Sequence, residues 1–315
     1  MRIVTYDEVD PRAVRQLCAT AAGWDLPEDH IRKIRRVDPR CFDGFALYAV
    51  EDGKVVTQVI PFRMRVRLRS GEETVGAIAG VCSHPTRWGQ GFARATMQRA
   101  HEWFLSEGLR LAALTTSRNI RGYRIYEKMG YVDLAPFYRA YRSVPGKRAH
   151  PSDLRFRQAS RDDIPTIGRL FREYTRGLLG WTAREPSHIP SLIAGDPKLL
   201  ERYRIVLRGD KPVGYFRTHP QEEVHMEELI LPKIEDYREA VALAEARAPH
   251  GLANVNWVTA RKDQERLQRL GYELDGPIPD ATMVLSLRGD VTPRSLLEEF
   301  GVPSGTFAQY PTEDF

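Results

Sequence analysis

Between Gly80 and Ala93 the chain reads GVCSHPTRWGQGFA, and this stretch narrows the fold most tightly. The apolar run Ala77–Val81 predicts a buried strand, Pro85 marks a turn, and Gly89 and Gly91 follow beside Arg87. From Phe92 to about Ser106 the residues Ala93, Met97, Ala100 and Phe104 fall at spacings of four, three and four. That spacing lays one apolar stripe along a helix facing a sheet. A strand, a glycine turn and a helix start build an anion site. The first amides of a helix have no intrahelical partner, and the helix dipole adds positive potential there. Glycine lacks a Cβ, so the backbone of such a turn approaches a phosphate closely. The expected guest is a phosphorylated small molecule. A Gly-x-Gly turn before a helix also arises for structural reasons alone, so the wider context must decide.

The glycines lack the Lys-Ser or Lys-Thr of a P-loop and the third glycine of a dinucleotide fingerprint. The segment Trp88-Gly89-Gln90-Gly91-Phe92-Ala93 does resemble motif A of the GCN5-related N-acetyltransferase (GNAT) superfamily. That motif is a glutamine or arginine, two free positions, then Gly-x-Gly or Gly-x-Ala. One departure is Trp88 at its first position, with the basic residue one place earlier at Arg87. Further along, Asn119-Ile120-Arg121-Gly122-Tyr123-Arg124-Ile125-Tyr126-Glu127-Lys128-Met129-Gly130-Tyr131 is similar to GNAT motif B, with Gly122 where a small residue is usual. One helix and one short strand (Leu111–Leu114) separate the two motifs, in the family's order.

The resemblance implies acetyl-CoA as cofactor, with Val81, Cys82, Ser83 and the run Arg87, Trp88, Gly89, Gln90, Gly91, Phe92 and Ala93 around it, and Asn119 beside its pantetheine arm. It also implies that a bulge splays the motif A strand, freeing an amide near Val81 to polarise a thioester carbonyl. Tyr126 becomes the acid for the leaving thiolate, and Ser117 a helper or merely a turn cap. An attacking amine must lose a proton, since an alkyl amine titrates near pH ~10.4. His84 is the candidate base by its position, ahead of Glu73 and Asp43. In the enhanced-intracellular-survival type of tandem GNAT enzyme the C-terminal carboxylate enters the active site, and this chain also ends in Phe, at Phe315.

At 315 residues, 42% of them hydrophobic, the chain has material for two ordinary cores. The order of elements repeats. Residues 1–143 are expected to form one GNAT domain, 144–153 a linker, 154–288 a second GNAT-like domain and 289–315 a tail with a short helix at Pro293–Phe300. The fold class expected is α/β (α+β), two tandem domains each with a mixed central sheet flanked by helices. The second copy lacks the motifs. Leu231-Pro232-Lys233-Ile234-Glu235-Asp236-Tyr237 has no glycine and brings two carboxylates to the phosphate position, which repel a pyrophosphate. Leu267 or a neighbour stands where Tyr126 stands in the first copy. Acetyl-CoA binding is therefore expected in the first domain only.

The net charge of +5 is modest, and arginines lie among acidic residues, which argues against a nucleic-acid surface. Arg63, Arg65, Arg67 and Arg69 alternate along one strand, as the wet face of an edge strand or a stripe for an acidic partner. Cys18, Cys41 and Cys82 fit neither a metal motif nor a disulfide framework, and no apolar run is long enough to cross a membrane. A cytoplasmic N-acetyltransferase acting on a small-molecule or peptide amine is expected. A non-catalytic acyl-CoA sensor or scaffold is the alternative, kept open by Trp88. Cleft carboxylates such as Glu28, Asp29, Asp43, Glu222 and Glu223 would favour a cationic acceptor. Acceptor identity and oligomeric state are not legible.

Overall fold

The computed structural model describes residues 1–144, 152–219, 222–246 and 252–311. The first half runs β1 (Arg2–Thr5), α1 (Pro11–Ala22), α2 (Glu28–Val37), β2 (Leu47–Glu51), β3 (Lys54–Leu68), β4 (Gly71–Ser83), α3 (Phe92–Ser106), β5 (Leu111–Ser117), α4 (Arg121–Lys128), β6 (Val132–Asp133) and β7 (Phe137–Ser143). The second half continues with β8 (Leu154–Gln158), α5 (Ile164–Tyr174), β9 (Leu179–Gly180), α6 (His188–Gly195), β10 (Tyr203–Arg208), β11 (Lys211–His219) and β12 (Glu222–Ile230). Then come α7 (Ile234–Glu245), β13 (Leu252–Val258), α8 (Arg261–Arg269), β14 (Glu273–Ile278), β15 (Asp280–Ser286), α9 (Pro293–Glu299) and β16 (Phe307–Ala308).

Local signals set most of these elements. Asp52 and Gly53 both have positive φ, as a two-residue hairpin turn between β2 and β3 requires. The α3 stripe holds: Met97, Ala100 and Phe104 are fully buried, joined by Phe92 and Thr96. On one face of the first sheet α3 and Tyr126 of α4 pack against Ile78, Ala112 and Leu114. On the other, α1 and α2 cover the β1–β3 half through Val14, Cys18 and Ile31.

The sheets do not follow the halves of the chain. The first has the order β1-β2-β3-β4-β5-β15-β6, with β9 and β16 to one side, and the second runs β14-β7-β13-β12-β11-β10-β8. The segment after α4 forms two strands. β6 stays in the first sheet, while β7 crosses to pair with β13 and β14. In return β15, from the second half of the chain, pairs antiparallel with β5 from Asp280↔Ser117 to Ser286↔Leu111. Ala281, Met283 and Val284 of β15 are fully buried, as a strand covered on both faces requires. Leu134, Ala135 and Phe137, at the crossing, join Val284, Trp181 and Phe300 in one shared core.

The tail wraps back onto the sheet. The Arg69 amide donates to the Glu299 carbonyl at 2.9 Å, and β16 pairs in parallel with β9. The arginine ladder of β3 needs one correction. β3 lies between β2 and β4 over Lys54–Val59, while its arginine-bearing part pairs with β4 on one side and meets β9 at Arg67↔Gly180 on the other. The wet face is real: Arg63 pairs with Glu107 at 2.8 Å and Arg67 with Glu72 at 2.8 Å.

Candidate active site

β4 and β5 run parallel and pair at Gly76↔Ala112, Ala77↔Ala113 and Ile78↔Leu114. Beyond that last pair the strands have no further register. Opposite, the β3–β4 register slips between Gln58↔Cys82 and Ile60↔Ala79, so Gly80 and Val81 together face Val59. This is a bulge, and it bends β4 away from β5. Gly80 takes φ +56, and a Cβ there would sit 2.9 Å from Ile60 Cδ1, so glycine suits both the backbone and the space. The side-chain amide of Gln58, fully buried, donates to the Gly80 carbonyl at 3.2 Å and accepts from the Cys18 thiol at 3.6 Å. Gln58 therefore holds the bulge, a role no sequence signal announced.

Past the fork the loop is cradle-like. Pro85–Arg87 form one 3-10 turn, and Gly89 and Gly91 take φ +78 and +84. A Cβ on either glycine would meet nothing within 4 Å, so the space above them is open. Gly91 leads into α3 with no side-chain cap. Among the described residues no hydrogen bond engages the amides of Gly89, Gln90 or Gly91. These features fit a phosphorylated ligand.

The side chains around the loop have settled roles. Trp88 donates its indole N–H to the Ser83 carbonyl at 2.9 Å, and Gln90 reaches the Thr86 carbonyl at 3.4 Å. Arg87 turns away from the loop toward Glu51 and Asp52, each at 3.6 Å. Cys82 is buried beside Cys18, which leaves its backbone as the part facing the fork. His84 caps the turn: its Nδ1 lies 2.8 Å from Thr86 Oγ1 and accepts from the Thr86 amide at 3.4 Å.

Helix α4 begins at Arg121, two residues later than the motif predicts. Ser117 Oγ accepts from the Asn119 amide at 3.3 Å, and the Ile120 amide donates to the Ser117 carbonyl. Ser117 is thus a turn cap, and Asn119 is exposed. Tyr126 packs in one cluster with Ile78, Leu114, Met97 and Val81, at the fork itself. Burial pushes its phenol up to about 12. Gly122, one turn earlier, leaves room for the ring: a Cβ there would lie 3.2 Å from the Tyr126 hydroxyl.

Other sequence candidates fall elsewhere. Glu73 stands at the far end of β4, about 30 Å of strand from Ser83, and pairs with Arg110 at 2.7 Å. Asp43 is exposed in the loop before β2. Phe315 and the side chains of Glu222 and Glu223 lie outside the described residues. A cavity of about 290 Å³ opens at Arg40, Arg63, Arg65 and Arg184, over Met64 and Trp181. It sits about 20 Å along β3 from the bulge. Its arginines are committed to Asp38, Glu107, Glu72 and Glu228, so it is not the anion site.

The second unit reproduces the elements without the cradle. α7 begins with no glycine loop before it, and its buried Asp236 is tied to Arg208 at 2.9 Å. Leu267 is buried in α8. Among the described residues β12 and β13 pair at His225↔Asn254 and Met226↔Val255. Beyond that pair the tail fills the gap: the Gln309 amide donates to Thr259 Oγ1 at 3.0 Å, and Tyr310 packs with Ile230 and Ala260.

Residues 2–132 match the acetyltransferase (GNAT) domain family. That segment is a GNAT domain. No match was found among curated proteins. Solved structures similar in fold include a GCN5-related N-acetyltransferase from Kribbella flavida, 19% identical, with TM-score 0.65 over 91% of this chain and 72% of that one. A conserved protein of unknown function from Enterococcus faecalis V583, a probable N-acyltransferase, gives 14% identity and TM-score 0.67 over 91% and 72%. Eis1 from Mycobacterium abscessus gives 18% identity and TM-score 0.58 over 91% and 74%. At these identities the likeness is one of fold, and it spans both sheets. The GNAT assignment carries acyl transfer as the general chemistry. Among the described residues no helix is long and apolar enough to cross a membrane, and no cluster of His, Cys, Asp and Glu would hold a metal ion.

Proposed function

We propose that this protein transfers an acetyl group from acetyl-CoA to a primary amine by direct attack, in the first unit. One observation carries the reading: the β4–β5 fork opens onto unpartnered loop amides, with Tyr126 packed at the same fork. Acetyl-CoA, when bound, supplies an activated thioester. The backbone of Gly89–Ala93 would hold its pyrophosphate, and that of Val81–Ser83 its pantetheine arm. The Val81 amide, at the bulge, is the donor for the thioester oxygen.

Tyr126 keeps its proton at neutral pH as an ordinary phenol does, and burial pushes it further up, to about 12. Full transfer to a thiolate titrating near 8.5 would run uphill by about 5 kcal/mol. Tyr126 Oη therefore acts by donating a hydrogen bond to the leaving sulfur. His84 serves as base through Nε2 in the tautomer whose Nδ1–H donates to Thr86 Oγ1, a tautomer that gives up the 3.4 Å bond from the Thr86 amide. The acceptor is a small-molecule or peptide amine. The tail in the second fork and Asp236 at the second helix start support a first unit that binds the cofactor alone.

Calorimetry with acetyl-CoA on the wild type and on Gly91→Glu tests the cradle. One site per chain, lost in the variant, is expected, followed by thiol release with a panel of amines. No binding by the wild type would end the reading. The outward turn of Arg87 and the indole at Trp88 favour a second reading, a non-catalytic acyl-CoA sensor. Normal acetyl-CoA binding without turnover on any amine would select it.

A further inference from the structure

Resting on the cradle reading above, we propose that Arg121 is the cation that binds a phosphate of coenzyme A, held in place by Trp88. A phosphate site gains from a guanidinium, whose fork of N–H donors matches phosphate oxygens. Arg87 is turned to Glu51 and Asp52 and does not supply it. Along the start of α4, Arg118 is bound to Asp133 at 2.8 Å and Arg124 to Glu127 at 2.8 Å. Arg121 is exposed and has no acidic partner among the described residues. Its guanidinium lies 5.3 Å from the centre of the Trp88 ring.

That contact is a cation–π interaction, and it leaves the positive charge uncompensated. The indole is fixed in its turn by the bond from its N–H to the Ser83 carbonyl, and 53% of Trp88 remains exposed. Trp88 directly precedes Gly89, so the guanidinium is presented at the edge of the open amides. The motif position that usually carries glutamine or arginine is thus served by two residues, a tryptophan platform and an arginine from the next helix. Arg94, on the first turn of α3, is also exposed, but no contact among the described residues fixes its head.

Calorimetry on the full chain tests this with coenzyme A and with dephospho-coenzyme A, which lacks the 3′-phosphate. Arg121→Ala is expected to weaken coenzyme A about tenfold, the scale of one charged hydrogen-bonding group. Arg121→Lys should recover part of the loss. Trp88→Ala should cost less, and adding it to Arg121→Ala should cost little more, because the two act as a unit. Equal weakening of both ligands assigns Arg121 to the pyrophosphate; weakening of coenzyme A alone assigns it to the 3′-phosphate. Arg124→Ala removes the same charge one residue triplet away, and an equal loss there would reduce the effect to a general field and overturn the proposal. Unchanged affinity in Arg121→Ala, with a wild type that binds, also overturns it. A wild type that does not bind removes the cradle reading itself, and that outcome is seen before any variant is made. Arg121 is exposed, so thermal melts of the variants should match the wild type.

Discussion

Tyr126 joins the two strongest arguments, one from the motif and one from packing. Tyr126→Phe keeps the ring and removes the hydrogen-bond donor. Turnover should fall about a hundredfold with acetyl-CoA affinity unchanged, as single-turnover kinetics and calorimetry would show. With the phenol pushed up to about 12, its ionisation should not depress the rate below about pH 10. The rate should instead rise with pH as the amine loses its proton. A different pH signature belongs to Asp163, whose carboxyl is held down to about 2 by the paired Arg157 guanidinium and by Ser160. The folded state then binds this proton more weakly than the unfolded chain. The stability it contributes is present above about pH 4 and is lost as pH falls toward 2. Asp163→Asn should flatten the acid limb of a melting-temperature profile in that window. At this scale the sequence was partly transparent. Tyr126, Gly89 and Gly91 sit in a recognisable pattern. The outward turn of Arg87 and the buried role of Gln58 depend on neighbours distant in the chain, Glu51 and Gly80, and leave no local trace.

Helix α3 could be read closely, because its apolar stripe keeps one period between Gly91 and Gly108. Helix α4 could not be bounded, since the Ser117 hydroxyl caps the Asn119 amide and delays the helix to Arg121. The bulge in β4 was inferred by resemblance, and what sustains it is a buried side chain on the neighbouring strand. Gln58→Leu deletes the donor to the Gly80 carbonyl and should cost about 1–3 kcal/mol of stability. Relaxed toward regular pairing, β4 would close the fork. Acetyl-CoA affinity should therefore drop more than tenfold in a variant that still melts cooperatively. An unchanged affinity would mean that the bulge stands without Gln58.

Across the whole molecule, the repeated order of elements was visible, but the exchange of β7 and β15 was not. Periodicity marks a segment as a strand and says nothing about which sheet receives it. Without β15, β5 would present an unpaired inner edge and Met283, Val284 and Ala281 would leave the core. The fragment 1–144 should therefore aggregate when expressed alone, and co-expression with 152–315 should restore soluble protein that binds acetyl-CoA. Soluble, cooperatively melting 1–144 would show that the exchange is dispensable. Gln309 ties the halves further, accepting from Thr282 at 2.6 Å and donating to Thr115 at 3.3 Å.

The exchange also sets a timetable for the chain during its synthesis. A nascent protein emerges at about 5–20 residues per second, and early domains usually fold before later ones appear. Here the strand that completes the first sheet is Asp280–Ser286, so the sheet that carries the cradle cannot close until the chain as far as Ser286 has left the ribosome. For seconds the motif-bearing half waits, complete in sequence but lacking the strand that lies between β5 and β6. The proposed cofactor cradle therefore takes its final form only after Ser286 has been made.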